Sequence, residues 1–455
     1  MASSALDSLP VSLLDLLNNS LILAQTAPYL PISSLLSLSV ANKPIRKTLL
    51  SSPETFRYVN LTSVKYAVID SSPIDSGGNS WRSERMDESL TEDEFYSGPL
   101  RGIFNKLHKQ HILTNIKTLI LDGLSVPADL VREIVAEDRF NVRVLSIREA
   151  KHLNERKLQQ VLKYAVRSSR PDGTPTLKAL YVFGLRDTPM RAAPTRPGQA
   201  RLAAEAGDVM ASQGAQIGAE WNQRSSAALS SSLGQPDDKW YRATGRVMRQ
   251  PSADWADTLD ACRGIIAFDA VLCRGPRHDA SKARIHDYLR PAVANIALGI
   301  RGCEICGDCP ESAAGFGLST EDELPLLNPP PLYTSTVRAA QCPAPIPAFA
   351  LGEDVVREVK KSPPRLILRC EDCLRGRWCE RCNKWWCEAC YAEPKSRVML
   401  PDELQGNGWE TGGANMISAG VGSRTSGGTI KVYSRLCVES CLVGEMLPVA
   451  DGMWG

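Results

Sequence analysis

The chain has 455 residues, of which 43% are hydrophobic and 23% charged, and a net charge of +2. At roughly 100–200 residues per domain this length suits two to four domains, and the near-neutral charge argues against a polybasic surface for nucleic acid or membrane. No run reaches about 18 apolar residues, which excludes a membrane-spanning helix, and the opening MASSALDSLPVSLLDLL carries early acids where a secretory leader is basic, so cytoplasm or nucleus is the expected compartment.

The first sixty residues read as helices. Leu9, Leu13, Leu16 and Leu17 recur at helical spacing, with Pro10 near the start, where a missing N–H costs little. The run ISSLLSLSVANKPIRKTLL follows Pro31; Ser33 or Ser34 is the expected cap, and Pro44 the expected interruption. SSPETFRYVNLTSV then reads as a turn entering a short strand. Residues 71–100 are polar and acidic, and residues 63–106 are expected to be a flexible insertion.

From residue 107 to 310 strands and helices alternate. IKTLILDGL (116–124), VRVLSIREA (142–150) and LKALYVFGL (177–185) are apolar strands, spaced 26 and 35 residues apart, with the helical segments PADLVREIVAED and NERKLQQVLKYAVR between them. RGIIAFDAV (263–271) and AVANIALGI (292–300) are candidate later strands. This is the scale of leucine-rich repeats without a strict asparagine pattern. It fits either a curved solenoid whose concave face binds a protein or a compact α/β domain. Residues 186–258 and 311–364, rich in Ala, Ser, Pro and Gly, read as a disordered insertion and a Pro-rich linker.

No cysteine precedes Cys262. Cys370/Cys373, Cys379/Cys382, Cys387/Cys390 and Cys437/Cys441 form close pairs, and Cys303/Cys306 another. A C-x2-C turn aims two thiolates at one ion, and two such turns complete a tetrahedral zinc site. In a reducing compartment such clusters point to metal, not to disulfides. Neighbouring pairs of the dense cluster lie too close to share an ion easily, so alternate pairs are expected to combine in a cross-brace. Cys370, Cys373, Cys387 and Cys390 would hold one zinc, and Cys379, Cys382, Cys437 and Cys441 a second. Cys303 and Cys306 are an alternative source of the last pair. Cys262, Cys273 and Cys342 read as core residues. Trp378, Trp385 and Trp386 are expected to pack over the metal sites, which are structural; none of the five histidines lies near the cluster in sequence.

Leu9-Pro10, Leu13-Leu14 and Leu17, then Leu35, Leu36, Leu38 and Val40, Arg46, Ser52-Pro53-Glu54-Thr55-Phe56 and Val59-Asn60-Leu61 together resemble an F-box. Ser12 stands where the family usually has an acid, Ile45 lies where a tryptophan is common, and the segment from Asn18 to Tyr29 is longer than the family's linker. The whole layout, including RCEDCLRGRWCERCNKWWCEACY, resembles F-box proteins of filamentous fungi. The resemblance implies a multidomain α+β chain: F-box helices over 1–62, a leucine-rich-repeat-like α/β solenoid over 107–310 and a cross-brace-like zinc module over 365–445. It further implies a non-catalytic substrate receptor that docks a Skp-type adaptor and cullin through Leu9, Pro10, Leu13, Leu14, Leu17, Leu35 and Leu38. Two alternatives stay open: a RING-like module binding a ubiquitin-conjugating enzyme, and a zinc-dependent nucleic-acid binder using Arg375, Arg377, Arg381 and Lys384 among the tryptophans.

Overall fold

The computed structural model describes residues 12–68, 92–187, 240, 245–281, 283, 287–298, 302–308, 313–316, 318–342, 365–391 and 430–443. Expectations for Leu9, Pro10 and residues 343–364 and 392–429 lie outside the described residues.

Helix α1 (Leu13–Asn18) begins at a capping box: Asp15 N–H donates to Ser12 Oγ at 3.2 Å, and Ser12 N–H donates to the Asp15 carboxylate at 3.1 Å. The Asn19 side chain caps α2 (Ser20–Thr26) by accepting from Leu21 N–H at 3.0 Å. Helices α3 (Ile32–Ala41) and α4 (Lys43–Ser51) are separated at Asn42, with Pro44 in the first turn of α4. Proline therefore starts the new helix, where its N–H is not needed. Neither Ser33 nor Ser34 caps α3. Pro31 is its cap residue, and the Pro31 carbonyl accepts from Ser34 and Leu35. Leu17, Leu23, Leu35 and Leu49 are buried between these helices.

Strands β1 (Tyr58–Asn60), β2 (Thr118–Ile120), β3 (Val144–Ser146), β4 (Ala179–Tyr181) and β6 (Ala267–Phe268) form one parallel sheet in chain order. Helices α5 (Glu92–Lys109), α6 (Ala128–Ala136), α7 (Glu155–Ala165) and α8 (Asp254–Ala261) lie in the connections. Alternation along each strand sends Leu119, Leu145, Leu180 and Phe268 to one face. There they join Leu130, Ile134, Leu158, Leu162 and Leu259 of the helices in the main core. Part of the expected insertion 63–106 is thus ordered, since α5 starts at Glu92 and buries Leu100 and Phe104.

Val144, Ala179 and Tyr181 point to the other face and pack with Leu326 and Ala340. Leu326 N–H donates to the Phe268 carbonyl at 2.8 Å, Tyr181 Oη donates to the Leu327 carbonyl at 2.9 Å, and Thr118 Oγ1 lies 3.1 Å from Ser335 Oγ. Arg57 donates to the Leu332 carbonyl at 3.2 Å. Residues 324–341, ending in the short helix α9 (Val337–Ala340), therefore form a strap across the sheet. Within the range 311–364, expected to be a linker, residues 324–341 are thus packed structure. The proline content of this range hid three leucines, Leu324, Leu326 and Leu327, which are buried.

A second sheet is antiparallel, in the order β5 (Gly245–Arg246), β7 (Ile296–Leu298), β9 (Arg365–Arg369), β8 (Ala314–Gly315). The segment AVANIALGI therefore supplies a strand here and not in the parallel array. β5 and the start of α8 fall within the expected insertion 186–258, of which residues 188–239 and 241–244 lie outside the described residues. β10 (Val432–Tyr433) and β11 (Leu436–Cys437) make a small hairpin. The second sheet is buried on both faces. Ile296, Leu298 and Ile367 face one cysteine-tryptophan cluster; Ala297, Leu366 and Leu368 face another containing Cys273, Cys370 and Cys373. The chain is thus a mixed α/β assembly with its cysteines gathered in the C-terminal half.

Candidate metal centre

The cysteines meet because short turns present them and the second sheet brings the turns together. Cys303 follows β7, Cys370 follows β9 directly, and Cys437 ends β11. The turn at Cys303–Cys306 is closed by Gly307 N–H donating to the Cys303 carbonyl at 2.8 Å and by Cys303 N–H donating to Asp308 at 2.9 Å. Gly302 makes that turn possible: its φ is +86°, and a Cβ there would meet the Gly307 carbonyl oxygen at 2.4 Å. The next turn closes through Cys379 N–H to the Lys384 carbonyl at 2.8 Å and Asn383 N–H to Cys379 at 2.9 Å, with Asn383 at φ +56°.

Two groups of four sulfurs result. One is Cys303, Cys306, Cys387 and Cys390; the other is Cys379, Cys382, Cys437 and Cys441. Within each, all ligand atoms lie within 4.8 Å of one another. Cys306 Sγ is 3.9 Å from Cys387 Sγ, and Cys382 Sγ is 3.7 Å from Cys437 Sγ. A tetrahedral zinc with sulfurs at about 2.3 Å needs sulfur–sulfur edges of about 3.8 Å. A disulfide needs about 2 Å, and every described cysteine is a free thiol. Both groups are therefore compatible with one zinc ion each.

Local electrostatics agree with that. Burial pushes the Cys303 thiol up, but backbone N–H donors from Cys306, Cys387 and Ile305 outweigh it and bring it down to about 7. Cys379 behaves alike: burial is opposed by the N–H groups of Cys382 and Cys437, and it too falls to about 7. Such N–H···S bonds favour the thiolate. Cys387 and Cys441 are pushed up to about 12, first by burial and then by the sulfurs facing them. Four thiolates in one small space repel one another, and a divalent cation removes that penalty.

The grouping corrects the sequence-based allocation. Cys379, Cys382, Cys437 and Cys441 do come together. Cys387 and Cys390 meet Cys303 and Cys306 instead of Cys370 and Cys373. Antiparallel pairing sends the chain leaving β7 and the chain leaving β9 to opposite ends, while Glu304 N–H donates to the Trp385 carbonyl at 3.0 Å and Cys387 N–H to Cys303 Sγ at 3.3 Å, which joins the two turns. Cys370 and Cys373 pack against Cys273 and His278. Cys273 is therefore not a plain core residue, and His278 is brought to the cluster from 92 residues away. The spacing Cys-x4-His at 273–278 was the signal in the sequence. Cys262 is fully buried, and burial pushes its thiol up to about 12, which suits an inert core position. Trp378, Trp385 and Trp386 are buried in one cluster with Cys303, Cys379, Cys387 and Cys437, where they were expected to pack.

Of the expected adaptor-contacting leucines, Leu13 is 56% exposed, Leu14 and Leu38 are half-buried, and Leu17 and Leu35 are buried within the helical core. Among the four basic residues of the nucleic-acid alternative, Arg377 is fully buried, Arg375 pairs with Asp372 at 2.7 Å, and Lys384 pairs with Glu304 at 3.4 Å.

No protein-family model matches the chain, and no curated protein matches it.

Proposed function

We propose that the chain is a non-catalytic substrate receptor of a Skp–cullin–F-box ubiquitin ligase, with zinc holding its C-terminal half together. The observation that carries this reading is the apolar surface of the first two helices. Leu13 and Leu21 are 56% and 74% exposed, with Leu16 and Ile22 exposed beside them, while Leu17, Leu23 and Leu35 fix the helices from within. Exposed leucines on short helices suit a helix-in-groove interface with an adaptor. The parallel strands stacked in chain order, each step passing through helix, support the solenoid side of the reading. The face opposite the helices is covered by residues 324–341. A substrate would therefore meet this strap and the strand-end loops, not bare strands.

The test is co-purification of the intact chain with a Skp-type adaptor and cullin. The Leu13→Asp/Leu21→Asp variant, whose changes fall on exposed positions and whose melting should match the parent, is expected to lose association. Absence of association in the folded parent, beside a positive F-box control, overturns the reading.

One observation favours a second reading. Along the chain the pairs run Cys303/Cys306, Cys379/Cys382, Cys387/Cys390, Cys437/Cys441, and alternate pairs join, which is a cross-brace. A RING-like module would build ubiquitin chains with conjugating enzymes and no cullin. The intact chain must be used for that assay, because a fragment starting at residue 360 lacks Cys303 and Cys306.

A further inference from the structure

Cys273 and His278 lie on the loop that leaves the parallel sheet after β6, whereas Cys370 and Cys373 open the dense cysteine segment after β9. The structure brings all four together. The ligand atoms of Cys273, His278 and Cys370 lie within 4.8 Å of one another. His278 Nε2 is 3.1 Å from Cys370 Sγ, and Cys370 N–H donates to Cys273 Sγ at 3.2 Å. Cys373 adjoins this trio: its N–H donates to Cys370 Sγ at 3.4 Å, and its thiol lies against Gly275, between Cys273 and His278 in the chain.

We propose that Cys273, His278, Cys370 and Cys373 hold a third zinc ion, in a site of three sulfurs and one nitrogen that fastens the end of the parallel sheet to the cysteine-rich half.

Four features around the site support a ligand role. His278 Nδ1 lies 2.8 Å from the Arg290 carbonyl oxygen and 3.3 Å from that of Leu289. A carbonyl only accepts, so Nδ1 carries the proton and Nε2 offers its lone pair toward the sulfurs, the usual arrangement of a ligating imidazole. Gly275, between the first two ligands, leaves the space into which the Cys373 thiol fits; a Cβ there would lie 2.0 Å from Cys373 Sγ. Three thiolates with one divalent zinc leave a net charge of −1. The fully buried Arg377 guanidinium donates to the Cys373 carbonyl at 2.9 Å, with another nitrogen 3.7 Å from Cys373 Sγ. It shares the Glu388 carboxylate with Arg277, at 3.3 and 2.6 Å, so these three side chains together keep one positive charge to answer the site. Last, Cys370 and Cys373 are fully buried. A Cys–His contact can also activate a nucleophile, but no substrate reaches a sulfur enclosed in this way. In the metal-bound site the three sulfurs are thiolates and the imidazole is neutral, and the displaced protons pass to solvent.

The site separates from the other two by stoichiometry and by ligand type. Native mass spectrometry of the intact chain, freed of excess metal, is expected to find three zinc ions, and two in the Cys370→Ser/Cys373→Ser variant. Two ions in the parent, or three in that variant, overturn the proposal. Should the double variant fail to fold, His278→Cys decides. It keeps four ligands and three ions, and in the cobalt-substituted chain its visible bands should move toward those of pure four-sulfur sites. An unchanged cobalt spectrum in His278→Cys means that His278 is no ligand and also overturns it.

Discussion

Asp269, just beyond β6, is buried and accepts from three successive backbone N–H groups: Val182 at 2.9 Å, Phe183 at 3.0 Å and Gly184 at 2.7 Å. One carboxylate thus satisfies the turn that follows β4. Replacing it with alanine strands three half-buried donors, each costing toward the lower end of about 1–3 kcal/mol, so Asp269→Ala should lower stability by about 3 kcal/mol in urea unfolding. Arg148 plays a related part beyond β3. Fully buried, it pairs at 2.6 Å both with Asp122, which is buried, and with Asp187, whose side chain is 41% exposed. Arg148→Met leaves Asp122 uncompensated and should cost about 3–5 kcal/mol, whereas Asp187→Asn should cost far less because Asp187 is partly hydrated already. At the third zinc site, Gly275→Ala forces a Cβ onto Cys373 Sγ; overpacking of this sort costs about 1–3 kcal/mol, visible as a lowered Tm. Asp269 and Arg148 were not foreseeable as partners, since burial of a polar side chain depends on what the loops bring beside it.

At the scale of elements, the parallel strands were readable where a three-residue strand sits inside a longer, mostly apolar run. β2, β3 and β4 fall within IKTLILDGL, VRVLSIREA and LKALYVFGL because strands covered on both faces read as continuous apolar stretches. The same property misled at AVANIALGI: an apolar run says that a strand is buried, not which sheet it joins. Composition misled at residues 324–341, where prolines suggested a linker while Leu324, Leu326 and Leu327 supplied the anchors. The strap depends on Leu326 packing with Val144, Ala179 and Tyr181. Leu326→Asp should detach it, raising amide exchange and protease cleavage over 324–341 while the helix-covered face of the sheet keeps its protection; equal protection in parent and variant would show that the strap is held elsewhere. For the cysteines, spacing reveals which two residues share a turn. Which two turns share an ion is decided by contacts between distant segments, such as Glu304 N–H donating to the Trp385 carbonyl at 3.0 Å, and no local pattern encodes that.

For the whole molecule, the order of ligands along the chain is the main structural consequence. Cys273 and His278 come first, then Cys303/Cys306, Cys370/Cys373, Cys379/Cys382, Cys387/Cys390 and Cys437/Cys441. Each ion in the account closes a loop that contains ligands of another, so the segments cannot separate one at a time. The second sheet lies between these clusters, with Ile296, Leu298 and Ile367 toward one and Ala297, Leu366 and Leu368 toward the other. Zinc bound at these sites would add to the small apolar clusters on the two faces of this sheet, and its binding energy would be folding energy. The parallel sheet has its own core of leucines. The most direct measurement is hydrogen exchange by mass spectrometry on the intact chain, before and after a strong chelator removes the zinc, with removal verified by mass. Residues 296–308, 365–391 and 430–443 are expected to lose protection together, while 116–181 keep theirs. Full metal loss with unchanged protection across those three segments would contradict a zinc-held C-terminal half.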